Sequence, residues 1–364
     1  MSGDCRGPRR DAPEDPGRDA MRAGDLTTPA LLADAGVLGA NMATMSATRP
    51  AAALRPHVKA FKCTALAGRL ATAGHRAFCC ATVGEVEGMA AAGLGDDLLL
   101  ANEVVDLRAV QRLAAVAAAG ARVTVAVDSV ETIAVAAAAG LDEVLVDVDV
   151  GMPRCGCDPV DAARLADEVR SAGLTVRGVM GYEGHLQHVV DADERRSRTA
   201  RAMAVLAAAH AEVGGDVVSG GGTGTWDCNE VVTELQAGSF VLMDGDYARL
   251  GLPFDEGLVL LTTAVSARTG RHAALDGGLK ALAMDSGDPR LVDDQGGRAE
   301  VLFCSDEHTT VAGGSWAVGD RVGLRPAHID PTIAKHATLH LVDDVTAGGD
   351  AEVLESWPVD LRDW

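Results

Sequence analysis

From residue 54 to residue 243 the apolar positions repeat one pattern. A short β-like run gives way to a polar or glycine-rich break, and an Ala-rich segment with helical spacing usually follows. The runs cover 54–58, 78–81, 97–101, 123–127, 143–150, 175–181, 216–219 and 240–243, which makes eight. The intervening stretches, such as 107–119 and 160–172, suit helices, since alanine is the strongest helix former. Strands alternating with helices imply a parallel sheet. Eight such units predict an α/β fold, a closed (β/α)8 TIM-type barrel, with an open doubly wound sheet as the rival.

Near Gly257 the pattern changes. A long β-like stretch at 259–267 is followed by short runs at 272–275, 299–303, 321–324 and 338–342, separated by turn signals such as Asp276-Gly277-Gly278. Helical periodicity is scarce there. The expected organisation is a disordered leader at 1–25, a barrel domain at 26–255 and a mainly β C-terminal domain at 256–364. An early strand near 28–33 is a candidate to join the β domain.

Composition narrows the function classes. Lys plus Arg is 32 and Asp plus Glu is 53, a net charge of −21. So acidic a chain is expected to bind neither nucleic acid nor an anionic membrane surface. No run of roughly 18 uncharged apolar residues appears, which argues against a membrane span. The first 25 residues mix arginines with Asp and Pro and lack an apolar core, so they do not read as a signal peptide. A cytoplasmic protein is expected. None of the eight cysteines forms a Cys-x-x-Cys pair, which favours reduced thiols over a disulfide framework or a zinc ribbon.

Barrel chemistry sits where strands end. Gly220-Gly221-Gly222-Thr223-Gly224-Thr225 follows the seventh run. Converging backbone N–H groups and two hydroxyls read as a phosphate cup rather than a plain turn. Lys59 ends the first run in Arg55-Pro56-His57-Val58-Lys59. A lysine there is either a surface residue with a snorkelling stem or a Schiff-base nucleophile in a partly dry pocket. A phosphate cup in the same mouth brings in pyridoxal 5'-phosphate, an aldehyde for the lysine and a phosphate for the loop. Lys62 reads as a surface lysine. Arg154 faces either a cofactor ring nitrogen or substrate carboxylate, or else a local Asp. In the β domain, Pro326-Ala327-His328-Ile329-Asp330-Pro331 places an imidazole and a carboxylate two residues apart. In a strand they would share a face and offer mixed N/O ligation to a divalent metal. A simple His–Asp hydrogen bond is the alternative. Asp306-Glu307-His308 is a second, similar cluster.

Taken together, these segments resemble the D-threonine aldolase and D-serine dehydratase family of fold-type III pyridoxal phosphate enzymes, cousins of alanine racemase. The likeness adds Leu100-Ala101-Asn102-Glu103, Gly151-Met152-Pro153-Arg154-Cys155-Gly156 and Gly181-Tyr182-Glu183-Gly184-His185. It implies that Lys59 carries the cofactor, that His57 and Tyr182 line its pocket and that Arg154 approaches the pyridine nitrogen. Gly221, Gly222, Thr223, Gly224 and Thr225 would hold the phosphate, and His328 and Asp330 a divalent metal. His188 falls where aldolases of this group keep a histidine near the substrate hydroxyl. The implied activity is metal-dependent retro-aldol cleavage of D-β-hydroxy-α-amino acids by a homodimer, D-threonine giving glycine and acetaldehyde. A D-serine or D-3-hydroxyaspartate dehydratase, an amino-acid racemase and a cofactor-carrying protein without turnover are the rivals. Two departures matter. Ala60-Phe61-Lys62 stands where the family often reads Thr-His-Lys. His-x-Asp replaces the dehydratases' His-x-Cys, and the harder carboxylate leans towards manganese or magnesium over zinc and towards the aldolase.

Overall fold

A computed structural model describes residues 20–362. The expected leader falls outside the described residues up to position 19. Its last residues are ordered, correcting that expectation: Ala23–Asp25 form a 3-10 turn, and Ala23 is fully buried, donating its N–H to Ala351 O at 2.8 Å.

Seven parallel strands make one sheet in sequence order: β2 (Ala77–Cys80), β3 (Asp97–Leu100), β4 (Val123–Val127), β5 (Glu143–Asp147), β6 (Thr175–Gly181), β7 (Val217–Gly220) and β8 (Glu234–Leu235). The barrel is closed by the segment around Pro56. Leu54 bridges Leu235 of β8, and His57 bridges Cys79 of β2, both in parallel. Proline has no N–H to give a ladder, so the first of the eight expected strands shrinks to these bridges. The Pro56 carbonyl still accepts from Cys79 N–H at 2.9 Å. The eighth strand is Glu234–Leu235, not the expected 240–243. There, Ser239–Val241 is a 3-10 turn, and Phe240, Val241, Leu242 and Met243 are all buried. A short run buried on every side carries no periodicity to separate strand from helix.

The helices between strands are defined by their ends. Leu107–Ala118 starts at Asp106, whose carboxylate accepts from Arg108 N–H, and buries Val110 and Leu113 against the barrel. Val130–Ala139 opens on a Ser129–Thr132 capping box and stops at Gly140, whose φ of 84° is the left-handed conformation that glycine adopts freely.

The second sheet has β1 (Ala30–Asp34) near its centre. It runs antiparallel to β9 (Leu258–Arg268) and parallel to β15 (Thr338–Val342). Around these lie β10 (His272–Leu275), β11 (Arg290–Leu291), β12 (Glu300–Cys304), β13 (Thr309–Ala312), β14 (Arg321–Arg325) and β16 (Val353–Pro358), with β12 at one edge. The chain thus begins in the β sheet, winds the barrel and returns. Among the described residues all seven cysteines are free thiols, and no helix is long and apolar enough to cross a membrane.

Candidate active site

A cavity of about 190 Å³ opens at the mouth of the barrel. Its walls include His57, Lys59, Asn102, Arg154, Tyr182 and Tyr247, together with Gly222, Thr223, Gly238 and Ser239. Lys59 sits in the 3-10 turn Val58–Ala60. That turn is set by the barrel closure, since His57 N–H donates to Ala237 O at 3.0 Å. About 44% of the Lys59 side chain is open to the cavity, and its ammonium end lies deep. Lys59 Nζ donates to Asp330 Oδ2 at 2.5 Å, and Ser239 Oγ donates to Asp330 Oδ1 at 3.3 Å. Burial works against the Lys59 charge, but Asp330 outweighs it and holds the ammonium above its ordinary pKa. Burial likewise opposes the Asp330 charge, and Lys59 outweighs it, keeping the carboxyl below its usual range.

His328 and Asp330 do not lie on a strand. They are the N-cap and second residue of the short helix Ile329–Ile333. Proline at position 331 suits a first helical turn, where its missing N–H costs nothing. The helix is tied to the barrel by Asp244, which accepts from Tyr247 N–H at 3.0 Å and from Ile329 N–H at 3.1 Å. Burial raises the Asp244 carboxyl to about 6. His328 Nδ1 meets Asp285 Oδ2 at 2.6 Å. His188 lies beside them, with Nδ1 3.2 Å from Asp246 Oδ2 and its ring 4.5 Å from that of Tyr247. Burial, the nearby His328 and Arg249 depress the His188 pKa, so the imidazole is neutral at pH 7.

Of the five glycine-loop residues, Gly222 and Thr223 line the cavity. Thr225 turns inward: its hydroxyl donates to the buried Glu183 at 2.7 Å, and Gly221 N–H donates to the same carboxylate at 3.2 Å. Gly224 N–H is taken by Gln187 Oε1 at 2.8 Å. Gly238 and Ser239, at the start of a second 3-10 turn, line the cavity beside Gly222 and Thr223. Arg154 stacks 5.2 Å from the Tyr182 ring centroid, and burial raises the Tyr182 phenol, keeping it protonated.

Two other expectations change. Lys62 is no surface lysine: it donates to the fully buried Glu85 at 2.5 Å, and Phe61 is core. Arg55, in the run that ends at Lys59, does not share its place at the mouth. It is 1% exposed at the barrel's opposite end, bonded to Glu234 and Asp97. The Asp306-Glu307-His308 cluster is solvated, with Glu307 paired to Lys280 at 2.6 Å. Among the described residues no three His, Cys, Asp or Glu side chains converge as a closed metal site.

The cavity fits pyridoxal phosphate. His57 Nδ1 is buried with no hydrogen-bond partner, and burial, then Lys59, depresses its pKa well below the usual value, so it is neutral. A Cβ on Gly238 would lie 2.4 Å from His57 O, so the cradle admits only glycine there. The motif fits a divalent metal with open positions. Asp285 occupies one nitrogen of His328 and leaves the other, while Asp330 keeps lone pairs beyond its two donors. Sequence reasoning missed Asp244, Asp246, Ser239 and Asp285. An Asp before a turn, as in Asp244-Gly245-Asp246, was the available signal for a cap.

Residues 34–245 match the family model of the alanine racemase N-terminal domain, and residues 257–342 that of a putative serine dehydratase domain. The chain is 34% identical to a D-threonine aldolase of Arthrobacter sp, covering 91% of this chain and 92% of that one. It is 33% identical to a 3-hydroxy-D-aspartate aldolase of Paracoccus denitrificans, covering 97% and 95%. The crystal structure of D-threonine aldolase from Filomicrobium marinum superposes with a TM-score of 0.87 at 35% identity, covering 96% and 99%.

Proposed function

This chain belongs to the D-threonine aldolase and D-serine dehydratase family, and from that premise we propose that it is a pyridoxal phosphate- and divalent-metal-dependent aldolase. Its substrates are D-β-hydroxy-α-amino acids, which it cleaves between Cα and Cβ to glycine and an aldehyde. The observation that carries the reading is the meeting of Lys59 and Asp330 at 2.5 Å, which ties the cavity's lysine to the acid of the His-x-Asp motif at the cavity's edge.

When bound, the cofactor supplies an aldehyde and a conjugated ring that takes up the electron pair of the broken bond, and the metal supplies Lewis acidity at a β-hydroxyl. Lys59 is the amine that holds the cofactor. Gly222, Thr223, Gly238 and Ser239 would hold its phosphate, and Arg154, stacked on Tyr182 in the same cavity, would meet its ring. His328 and Asp330 hold the metal, whose hard N/O set suits manganese or magnesium. His188 is the general base for the substrate hydroxyl. It is neutral at pH 7, and with Nδ1 turned to Asp246 it keeps Nε2 free to accept the proton. We take the working unit to be a homodimer.

Product analysis tests this. The full chain loaded with pyridoxal phosphate and Mn²⁺ is given D-threonine, D-3-hydroxyaspartate or D-serine, with and without a chelator. Glycine with acetaldehyde from the first, or with glyoxylate from the second, lost on chelation and lost in Lys59→Ala, is the expected result. Ammonia and a 2-oxo acid in place of glycine would make the chain a dehydratase and overturn the reading.

A further inference from the structure

Residues 281–285 belong to neither sheet nor helix, yet they are fastened to the metal motif at alternate positions. Ala281 O meets His336 Nε2 at 2.8 Å. Ala283 N–H donates to Thr332 Oγ1 at 3.0 Å. Asp285 Oδ2 meets His328 Nδ1 at 2.6 Å. The three partners, 328, 332 and 336, are spaced four apart and lie at the N-cap, within and just beyond the short helix Ile329–Ile333. Thr332 is fully buried and adds a fourth tie, its hydroxyl donating to His328 O at 2.7 Å. His328 is thereby gripped at both its carbonyl and its ring.

The ring contact has a definite chemical sense. A carboxylate oxygen accepts, so Nδ1 of His328 is the nitrogen turned to Asp285 and Nε2 is the one left to meet a metal. Among the described residues Nε2 takes no partner from the chain. Histidine ligands are commonly held this way, with the second nitrogen on a carboxylate that fixes tautomer and orientation.

We propose that Asp285 is the positioning residue of the metal site, presenting His328 through Nε2 while not itself ligating the metal. The inference rests on the metal reading given under Proposed function. The His328 N-cap sits on extended backbone, with φ −140° and ψ 118°, and among the described residues its ring hydrogen-bonds to Asp285 alone.

The test is Mn²⁺ binding by the full, cofactor-loaded chain, with free Mn²⁺ followed by electron paramagnetic resonance. Asp285→Ala should raise the dissociation constant about 10–100-fold, with the cofactor absorbance and the melting temperature unchanged. Asp285→Asn, which keeps an acceptor oxygen, should recover at least half of that loss on a logarithmic scale. His328→Ala should lose the site. An Asp285→Ala affinity within twofold of the native chain overturns the proposal. So does an Asp285→Asn no better than Asp285→Ala. Loss as complete as in His328→Ala also overturns it, by making Asp285 a ligand. If the native chain and His328→Ala bind Mn²⁺ equally, the metal reading itself falls, which is a separate failure.

Discussion

In the proposed mechanism His188 takes a proton, and two different neighbours act on its two properties. Asp246, 3.2 Å from Nδ1, sets which nitrogen is free, while burial, His328 and Arg249 set its affinity for a proton. The shift is downward from 6.5. A base works only unprotonated, so activity falls as pH drops through its pKa. The acid limb of kcat/KM should therefore lie below pH 6.5, and His188→Asn should lower kcat by on the order of 10²–10⁴-fold. An acid limb above pH 6.5, or a His188→Asn variant at full rate, would assign the base elsewhere. Lys59, His328 and Asp330 stand out in the sequence because each ends a β-like run or sits in a short polar motif, whereas His188 enters only through the family resemblance. Asp246 and Asp285 do neither. An isolated aspartate has no pattern, and only folding shows which histidine it faces.

At the scale of elements, the barrel's closing segment carries opposite duties at its two ends. Lys59 faces the mouth, and Arg55, four residues earlier, anchors the far end. Arg55 Nη1 donates to Asp97 Oδ1 at 3.1 Å, and Arg177 Nη2 donates to Asp97 Oδ2 at 2.8 Å. Burial opposes the Asp97 charge, but the two guanidinium groups win and lower its pKa from 3.8 to about 2. A folded-state value below the unfolded one stabilises the protein above about pH 4, and that contribution drains as pH falls through about 2. Asp97→Asn should therefore cost on the order of 2 kcal/mol at pH 7, read from urea melts, with the gap to the native chain narrowing below pH 4. A gap unchanged from pH 7 to pH 3 would show that the charge contributes nothing. The βα alternation was readable because its period is long and regular. The two strands at the closure were misread for separate reasons: Pro56 removes a donor, and the buried run at 240–243 has no polar side to betray its turn. The helical start at His328 was hidden because His-x-Asp-Pro reads equally well as a strand.

Over the whole molecule, the β domain ends in an edge that a soluble monomer would be expected to blunt. The strand β12 lies at one side of the sheet, and its Leu302 and Phe303 are 49% and 55% exposed. The register shifts between Val301 and Phe303, so the regular alternation of faces breaks at this point of the strand. Exposed apolar groups on an open edge invite contact with another chain. Charge does not forbid a second copy: at −21 the chain repels itself at long range, but screening confines that repulsion to about 8 Å at physiological salt. The proposed homodimer would cover these side chains, each worth about 1.5–3 kcal/mol on full burial. Sedimentation equilibrium should give twice the 37.4 kDa chain mass, and Leu302→Glu with Phe303→Glu should shift it to the monomer. A native chain that sediments at 37.4 kDa would refute the dimer. A double variant that stays dimeric would keep the dimer and move its interface away from β12.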